Sequence, residues 1–326
     1  MQAIAPESAA SLAVVERAQA LPHLITPDRA TGGNPASLIS WAHREMDVLR
    51  DLRLRHGALL FRGFGFEALR DFQDFVSTFT SLQGYHGGAS QRTNVEGLVY
   101  TSTDTAAHYE ISQHHESAYT PAMPAIIGFF CSLPAETGGQ TPLADSHRIT
   151  ARLPAELKRR FAEKELCYIN NLPDRFGFGK SWQAQFQSED REVVEAQLRE
   201  SGYEWSWRPN GALRTILRCK ALLPHPETGE FLWVNQADHW HPSGLREETR
   251  HKLSRILSPE DFPMNVTFGD GTLIPEADLD LVRSIVHAET TQFTWQKGDV
   301  LLCDNYLVSH GRRSYTGDRK VYVALG

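Results

Sequence analysis

The sequence lacks close pairs of cysteine, an excess of positive charge and a long apolar run. Its four cysteines, Cys131, Cys167, Cys219 and Cys303, are far apart, and no CxxC pair exists. This spacing argues against a zinc ribbon or a redox pair and favours reduced, buried thiols. The 33 basic residues are outnumbered by 40 acidic residues, and the net charge of −7 argues against nucleic acid as a partner.

The first residues lack the features of an export signal or a membrane anchor. Residues 1–24, MQAIAPESAASLAVVERAQALPHL, have neither a basic start nor a long apolar core. We therefore expect a cytoplasmic protein with no membrane partner. The apolar content of 41% and the charged content of 22% are ordinary for a globular protein.

The chain divides into a short helical part and a longer part rich in strands. Residues 1–35 are poorly patterned and are expected to form an arm. Apolar residues at helical spacing predict helices over 37–57 and 66–79, with a buried strand at 58–64 between them. Short strand-like runs broken by Gly, Pro, Asn and Asp follow, and helices are predicted among them over 153–165, 188–202 and 246–257.

This order of elements predicts a β-rich α+β fold. We expect a double-stranded β-helix (jelly roll) core with N-terminal and inserted helices, because strands and helices do not alternate as they do in βαβ units. The chain is expected to form a single domain over residues 1–326, with a helical insertion at about 147–215. No repeat of fixed period is visible.

The segment EISQHHESAY, residues 110–119, combines two histidines with a glutamate. On an extended segment His114 and Glu116 point to one face and His115 to the other. With one more distant histidine, such a pair can form the 2-His-1-carboxylate facial triad, which binds Fe(II) and leaves coordination positions open. The alternative is a solvated polar turn.

His310 is a candidate for the distant histidine. It opens a polar stretch after the strand-like VLLCDN, and Arg312, Arg313 and Arg319 follow it. The planar fork of arginine binds both oxygens of a carboxylate, so an arginine near the metal indicates an anionic co-substrate. The alternative is that these arginines are surface residues.

A second histidine pair is a weaker candidate for a metal site. His239 and His241 are two residues apart in DHWH, but Pro242 and Gly244 follow and favour a loop. We interpret the pair as the rim of a pocket or as core polar residues. Arg214 is a candidate for binding a substrate carboxylate, with surface charge as the alternative.

Seven segments together resemble one enzyme family. They are FRGF (61–64), YTSTD (100–104), QHHESAYTP (113–121), PAETGGQTPLADS (134–146), WVNQADHWHP (233–242), GDVLLCDN (298–305) and HGRRSYTGDRKVYVAL (310–325). They occur in the same order as in the taurine dioxygenase-like (TauD/TfdA) superfamily of Fe(II)- and 2-oxoglutarate-dependent oxygenases. The details are most similar to the syringomycin-type branch, which hydroxylates amino acids or their derivatives in secondary metabolism.

The resemblance implies a role for each matching position. It implies His114, Glu116 and His310 as iron ligands, and Thr141 and Arg319 as the residues that bind 2-oxoglutarate. In taurine dioxygenase itself the arginine lies slightly further past the distal histidine, which leaves Arg312 as a rival for Arg319. Asn235 and Gln236 match a pocket-lining segment, whereas His115 stands where close relatives often carry asparagine. We add His115 and Arg214 to this tentative set of substrate-pocket residues.

The function that the resemblance implies is hydroxylation of an aliphatic carbon with Fe(II), 2-oxoglutarate and O2. The expected substrate is an amino acid or its derivative, free or attached to a peptidyl carrier protein. The presence of Glu116 argues against halogenation, because related halogenases carry a small residue there. Two alternatives remain within the same chemistry: a desaturase, or a dioxygenase of a small acid or a sulfonate. A non-catalytic metal-binding jelly-roll protein is the alternative from a different class.

Overall fold

A computed structural model describes residues 12–15, 21–27, 33–84 and 92–326, the first of these ranges as backbone only. Most of the expected N-terminal arm at about 1–35 lies outside the described residues. The part of it that is described includes two strands, Leu12–Val15 and His23–Pro27, which pair with each other.

The helices begin and end as follows: α1 (Pro35–Arg44), α2 (Met46–His56), α3 (Leu69–Ser77), α4 (Ser146–Arg152), α5 (Ala155–Lys164), α6 (Trp182–Phe186), α7 (Arg191–Glu200), α8 (Ala237–Trp240), α9 (Glu247–Ser254) and α10 (Glu276–Ala288). The helix predicted over 37–57 is present but is interrupted at Glu45, where the backbone leaves the helical region. Gly57 ends α2 in the left-handed conformation, with φ of 72°, which a residue with a side chain rarely adopts. The helical pattern of α10 was missed from the sequence.

The strands within the described residues are β1 (Leu12–Val15), β2 (His23–Pro27), β3 (Ala58–Phe61), β4 (Asn94–Glu96), β5 (Val99–Thr101), β6 (Ile111–His114), β7 (Ile126–Leu133), β8 (Thr137–Gly138), β9 (Leu143–Asp145), β10 (Leu166–Leu172), β11 (Glu204–Trp207), β12 (Leu213–Cys219), β13 (Leu222–Pro224), β14 (Phe231–Trp233), β15 (Met264–Phe268), β16 (Thr290–Thr291), β17 (Val300–Asp304), β18 (Val308–Arg312), β19 (Tyr315–Thr316) and β20 (Lys320–Leu325). They form an eight-stranded sheet in the order β1-β2-β3-β17-β7-β20-β5-β4, two four-stranded sheets and two short pairs. The pair β2 and β3 is parallel, and antiparallel pairing prevails in the rest of the described sheets.

Different partners cover the two faces of the eight-stranded sheet. Val300 and Leu302 of β17 pack in a cluster with α1, α2 and α3, whereas Leu301 and Cys303 pack in a second cluster with β9 and β18. Successive side chains of a strand point to opposite faces, so a strand buried on both faces is apolar throughout. Full burial of each such aliphatic side chain contributes about 1.5–3 kcal/mol. The sheet is therefore the middle layer of the molecule, with helices on one side and a smaller sheet on the other.

The smaller sheet has the order β16-β9-β18-β6 and contains the two segments that carry His114 and His310. Its strand β18 carries His310, and β6 ends at His114. Gly311 lies in β18 where this strand approaches β6 closely: a Cβ atom there would lie 2.5 Å from the Ile111 carbonyl oxygen. A residue without a side chain therefore lets the two strands come together next to His310.

Between β9 and β16 the chain forms a long excursion from α4 to α10. It contains the other four-stranded sheet, in the order β11-β12-β10-β15, which packs against α4, α5, α8 and α10 in a separate hydrophobic cluster. The helical insertion expected at about 147–215 coincides with the first part of this excursion. None of the helices in the described ranges is long and apolar enough to span a membrane.

Candidate active site

His114 and His310 come together because of strand register. Their Cα atoms are direct partners in the antiparallel pair of β6 and β18. Side chains at directly opposed positions of such a pair lie on the same face, and the two ring centroids are 4.5 Å apart. Phe129, from the face of β7 that is turned towards the smaller sheet, packs against the His310 ring at 5.1 Å. The two imidazoles therefore lie between the two sheets.

Glu116 completes a cluster of three side chains that could hold a metal ion. Its Oε2 atom lies 3.8 Å from Nε2 of His114 and 3.8 Å from Nε2 of His310. The three donor atoms lie within 4.8 Å of one another. Two donors that bind one ion at about 2.1 Å can be at most about 4.2 Å apart, so both 3.8 Å distances fit a shared ion. Two imidazole nitrogens and one carboxylate oxygen are the donor set of the facial triad.

The protonation states of the three side chains suit metal binding. Burial, followed by the neighbouring charge of His114, holds the pKa of His310 well below its ordinary value, so the imidazole is neutral. Burial raises the pKa of Glu116, but the positive charge of Arg92 outweighs it and holds that pKa well below its usual range. His114 Nδ1 is 2.9 Å from the Ser112 carbonyl oxygen. Donation there leaves its Nε2 lone pair for a metal.

Asn305 holds the backbone of Glu116 on both sides. Its Oδ1 accepts from the Glu116 N–H at 2.8 Å, and its Nδ2 donates to the Glu116 carbonyl at 2.9 Å and to the Pro124 carbonyl at 2.8 Å. Asn305 is fully buried at the end of β17. A turn that leaves the sheet is thereby fixed to a strand of the central sheet, so the carboxylate keeps its position relative to His310.

Replacing Asn305 with alanine is expected to weaken Co(II) binding by about 10- to 100-fold, as loss of a group that orients a metal ligand usually does. The reason is that the Glu116 backbone loses both hydrogen bonds that place it. Isothermal titration with Co(II) measures the effect. Asn94→Ala is the matched control, because Asn94 is an exposed asparagine that bonds the Gly97 carbonyl. An unchanged Co(II) affinity in Asn305→Ala would contradict the role.

A cavity beside the cluster brings further predicted residues together. It is lined by His114, His310, Thr141, Arg319 and Arg312, together with Arg92, Ser102, Thr103, Ile111, Phe129, Gly311 and Val321. Thr141 is buried and accepts a hydrogen bond from Trp295 Nε1 at 3.1 Å, which leaves its own hydroxyl hydrogen for an acceptor in the cavity. The cavity thus joins the metal-binding cluster to a hydroxyl group and to arginines.

Arg319 and Arg312 differ in how their guanidinium groups are used. Arg312 donates three hydrogen bonds of 2.7 Å, to the carbonyls of Thr105, Ala106 and Tyr109. Arg319 donates from Nε to the Gly139 carbonyl at 3.1 Å. Burial, followed by the positive charge of Arg312, lowers the pKa of Arg319 to about 10. An anion beside Arg319 would offset both the loss of water around the guanidinium and its repulsion by Arg312.

Arg92 is a site residue that we did not predict from the sequence. Its Nη2 lies 2.6 Å from Glu116 Oε2, and both side chains are buried. Asn305 was missed as well, although it follows directly after a buried apolar strand, where a polar residue is a usable signal. No local pattern marks Arg92, since it lies outside every motif and reaches the cluster only through the fold.

His115, Asn235 and Gln236 lie together, away from this cavity. His115 Nε2 is 2.8 Å from Ser146 Oγ, and the Gln236 side chain donates to the His115 carbonyl. Asn235 Nδ2 donates to the Ala221 carbonyl. Burial, followed by the charge of His114, lowers the pKa of His115 to about 3. None of the three is among the residues that line the cavity. They connect the cluster of His114, Glu116 and His310 to the excursion.

The other candidates lie further out. Arg214 donates to the Asn171 side chain and to the Glu260 carbonyl, on the sheet of the excursion. The His239 ring centroid is 6.0 Å from that of His114, whereas His241 Nδ1 is bonded to Ser243 Oγ at 2.8 Å. Among the described residues, the one group of three side chains that could hold a metal ion is His114, Glu116 and His310, so the second histidine pair does not form another.

Comparison with known proteins identifies the family. Residues 18–325 match the model of the taurine catabolism dioxygenase TauD, TfdA family. The chain belongs to this family. Its members are Fe(II)- and 2-oxoglutarate-dependent dioxygenases, so this TauD/TfdA enzyme uses Fe(II), 2-oxoglutarate and O2. The resemblance found in the sequence is confirmed.

Two relatives of this TauD/TfdA enzyme are similar over most of their length. The dapdiamide synthesis protein DdaC of Enterobacter agglomerans is 33% identical over 286 residues, which are 87% of this chain and 85% of DdaC. A clavaminate synthase-like protein of Arabidopsis thaliana is 31% identical over 280 residues, with 82% of this chain and 81% of the relative covered.

Solved structures share the fold at lower identity. PvcB of Pseudomonas aeruginosa is 14% identical with a TM-score of 0.54, and the match covers 100% of this chain and 94% of PvcB. PvcB is described as an iron, α-ketoglutarate dependent oxygenase from an isonitrile synthetic pathway. AAD-2, solved with Mn(II) and N-oxalylglycine, is 11% identical with a TM-score of 0.56, and the match covers 97% of this chain and 96% of AAD-2. These matches support a mixed α/β fold of the TauD type.

Proposed function

We propose that this TauD/TfdA enzyme hydroxylates an aliphatic carbon of an amino acid or an amino-acid derivative, with iron held by His114, Glu116 and His310. The observation that carries the proposal is the convergence of the three donor atoms within 4.8 Å of one another. The donor set fits Fe(II), which takes two imidazoles and one carboxylate on one face. The opposite face is then open to the two substrates.

The residues proposed to bind 2-oxoglutarate are Thr141 and Arg319. Both line the cavity that His114 and His310 also line. Arg319 is favoured over Arg312, because Arg312 already donates to three backbone carbonyls and a carboxylate would have to displace them. The planar guanidinium of Arg319 suits the distal carboxylate of the keto acid, and the Thr141 hydroxyl supplies a further donor.

In the proposed reaction the metal activates O2, and the protein side chains bind and orient the reactants. When bound, Fe(II) supplies the activation of O2, which is coupled to oxidative decarboxylation of 2-oxoglutarate to succinate and CO2. His114, Glu116 and His310 hold the ion on one face. Arg319 and Thr141 orient the keto acid, and the surrounding apolar side chains, Phe129 among them, keep water out of the site.

The proposed substrate class rests on the relatives. DdaC is a dapdiamide synthesis protein, and its match to this chain spans most of both proteins. We propose that this enzyme likewise acts in the synthesis of a secondary metabolite, as in the syringomycin-type branch. The substrate is an amino-acid unit, either free or attached to a peptidyl carrier protein.

We also propose a fold type, a domain organisation and a cellular location for the enzyme. The eight-stranded sheet facing the sheet of β16, β9, β18 and β6 is proposed to be a double-stranded β-helix, or jelly roll. We propose one catalytic domain, with the excursion as an insertion. A cytoplasmic location is supported by the four cysteines, which are free of disulfide bonds.

A two-part experiment tests the proposed function. Anaerobic addition of Fe(II) and 2-oxoglutarate is expected to produce a weak visible charge-transfer band, and air is then expected to release succinate when substrate is present. Mass spectrometry of amino acids, free and carrier-loaded, is expected to show a gain of one oxygen. Loss of two hydrogens instead would identify a desaturase. A protein without the band and without succinate would be a non-catalytic binder. Full turnover in Glu116→Ala would remove Glu116 from the iron ligands.

A further inference from the structure

Two adjoining cavities lie against the sheet of the excursion. The larger has a volume of about 560 Å³ and the smaller a volume of about 190 Å³. Asn170, Leu172 and Gln185 line both of them, and we call the two together the excursion cavity. Within the described part of the chain, no residue lines both the excursion cavity and the cavity beside His114 and His310. The excursion cavity is therefore a separate space.

Lys180 is the one charged residue among the described residues that line the excursion cavity. It is half-buried, and its ammonium group makes no hydrogen bond or ion pair with any residue that the structure describes. Burial lowers the pKa of Lys180, because the loss of water disfavours the charged form. A cation that is partly removed from water is stabilised by an anionic partner. The excursion cavity therefore favours an anion beside Lys180.

The backbone on either side of Lys180 is held in place. Trp182 is buried, and its N–H donates to the Pro173 carbonyl at 3.2 Å. Gly179 packs so closely against Pro263 that an added Cβ atom would lie 3.2 Å from the Cβ of the proline. A ligand-binding group needs such support from its neighbours. The ammonium group thus belongs to a fixed segment of the cavity wall.

Three uncharged polar side chains of the excursion cavity also have unused hydrogen-bonding groups. Asn170 and Thr215 are direct partners in the antiparallel pair of β10 and β12, so their side chains lie on the same face of the sheet. The Asn170 amide and the hydroxyls of Thr215 and Tyr203 make no hydrogen bond to the described residues, although Thr215 is only 1% exposed. Polar groups in such positions need a partner. Amides and hydroxyls both donate and accept, which suits the amide groups of a ligand.

The excursion cavity borders the turn that carries Glu116. Ser117 directly follows Glu116 and lines the larger part, and Tyr119 lines the smaller part. A ligand in the excursion cavity would therefore lie beside the segment that supplies one of the proposed iron ligands.

We propose that the excursion cavity is a second ligand site, in which Lys180 binds a carboxylate or a phosphate and the polar side chains of Asn170, Thr215 and Tyr203 bind amide groups of the same molecule. Two sources carry this chemistry. One is an amino-acid derivative with its own carboxylate, and the other is the phosphopantetheine arm of a peptidyl carrier protein, which has a phosphate and amide bonds. The choice between these sources rests on the proposed function, whereas anion binding at Lys180 does not.

Isothermal titration with small probes tests the site. N-acetylglycine carries a carboxylate and an amide, and N-acetylglycinamide is its uncharged counterpart. Phosphopantetheine carries a phosphate and amides, and pantetheine is its uncharged counterpart. Each probe is titrated into the whole protein, first alone and then with Co(II) and N-oxalylglycine, which are added to occupy the metal and 2-oxoglutarate sites.

Three variants locate the binding. Lys180→Met removes the charge at similar length, and Lys180→Arg keeps the charge. Lys220→Met is the matched control, because Lys220 is an exposed lysine outside the lining of the excursion cavity.

In the wild-type protein one of the two anionic probes is expected to bind at least about tenfold more tightly than its uncharged counterpart, because charge-assisted hydrogen bonds are stronger than neutral ones. Lys180→Met is expected to lose this difference, Lys180→Arg to keep most of it, and Lys220→Met to bind as the wild type does. Equal binding of the anionic probe by the wild type and Lys180→Met would overturn the inference. The absence of any preference for an anionic probe in the wild type would do the same.

The two anionic probes distinguish the sources. A preference for N-acetylglycine would identify the carboxylate of the substrate itself, and a preference for phosphopantetheine would identify the carrier arm. Thr215→Val, which removes a hydroxyl at similar size, is expected to weaken the favoured probe about threefold. Acetate or inorganic phosphate that bound as tightly as the favoured probe would overturn the assignment of the amide contacts.

Failure of the proposed function would give a different result. The probes are expected to bind equally with and without Co(II), because His114, Glu116 and His310 are outside the lining of the excursion cavity. A protein that bound no Co(II) would contradict the proposed function. A preference for an anionic probe that disappears in Lys180→Met would still support the second ligand site.

Discussion

Replacing His310 with alanine is expected to abolish turnover and to lower Fe(II) affinity by more than about 100-fold, which is the upper range for losing a group that merely orients a ligand. His310 supplies one of three donor atoms from the strand directly opposite His114. With it gone, two donors remain, and both come from the loop end of β6. The anaerobic charge-transfer band and Co(II) titration measure the metal, and succinate release measures turnover.

His241→Ala is the matched control for this variant. It also removes an imidazole from the second histidine pair in the sequence, but its Nδ1 is occupied by Ser243 Oγ. We expect the control to keep the band and the turnover. A His310→Ala protein that retained both, with a circular dichroism spectrum like wild type, would remove His310 from the metal site. Loss of the band in both variants would indicate that the second pair also matters to the metal.

Replacing Arg319 with methionine is expected to raise the KM for 2-oxoglutarate at least about 30-fold, because truncating one partner of a buried charge pair costs about 2–5 kcal/mol. Arg319 is half-buried, and the loss of water around its guanidinium lowers its pKa to about 10, so it gains from an anionic partner. Metal affinity measured without 2-oxoglutarate is expected to stay the same. Steady-state kinetics with varied 2-oxoglutarate, together with Co(II) titration, separates the two effects.

Arg312→Met tests the rival arginine in the same assay. Arg312 bonds three carbonyls of residues 105–109, so its loss leaves buried acceptors unmatched and is expected to cost about 1–3 kcal/mol of folding stability. The expected sign is therefore a lower midpoint in urea unfolding, with a smaller change in the KM for 2-oxoglutarate than in Arg319→Met. Arg313→Met, at a half-exposed arginine paired with Glu110, is expected to change neither quantity much. A larger rise in the KM for 2-oxoglutarate in Arg312→Met than in Arg319→Met would instead assign the binding of the 2-oxoglutarate carboxylate to Arg312.

Asn305 was not predicted as a site residue, because its contacts with Glu116 cannot be inferred from the residues next to it in the sequence. GDVLLCDN was recognised as a segment, but nothing in it indicates that its last residue bonds both sides of the Glu116 peptide. Glu116 was predicted as a metal ligand on the assumption that an extended strand continues through residue 116. Strand β6 ends at His114, and Glu116 lies in a turn. The carboxylate still faces the imidazoles because Asn305 places that turn.

By itself the sequence determined the chemistry that is available. Two histidines and a glutamate, a late histidine, and apolar runs for a sheet buried on both faces follow from side-chain type and spacing, which are local properties. Tertiary structure alone decided which group each arginine contacts. Arg92, Arg312 and Arg319 are chemically identical, and their different partners depend on strand pairings between segments far apart in the chain. Pairing across such distances depends on packing of the whole molecule, which no short segment encodes.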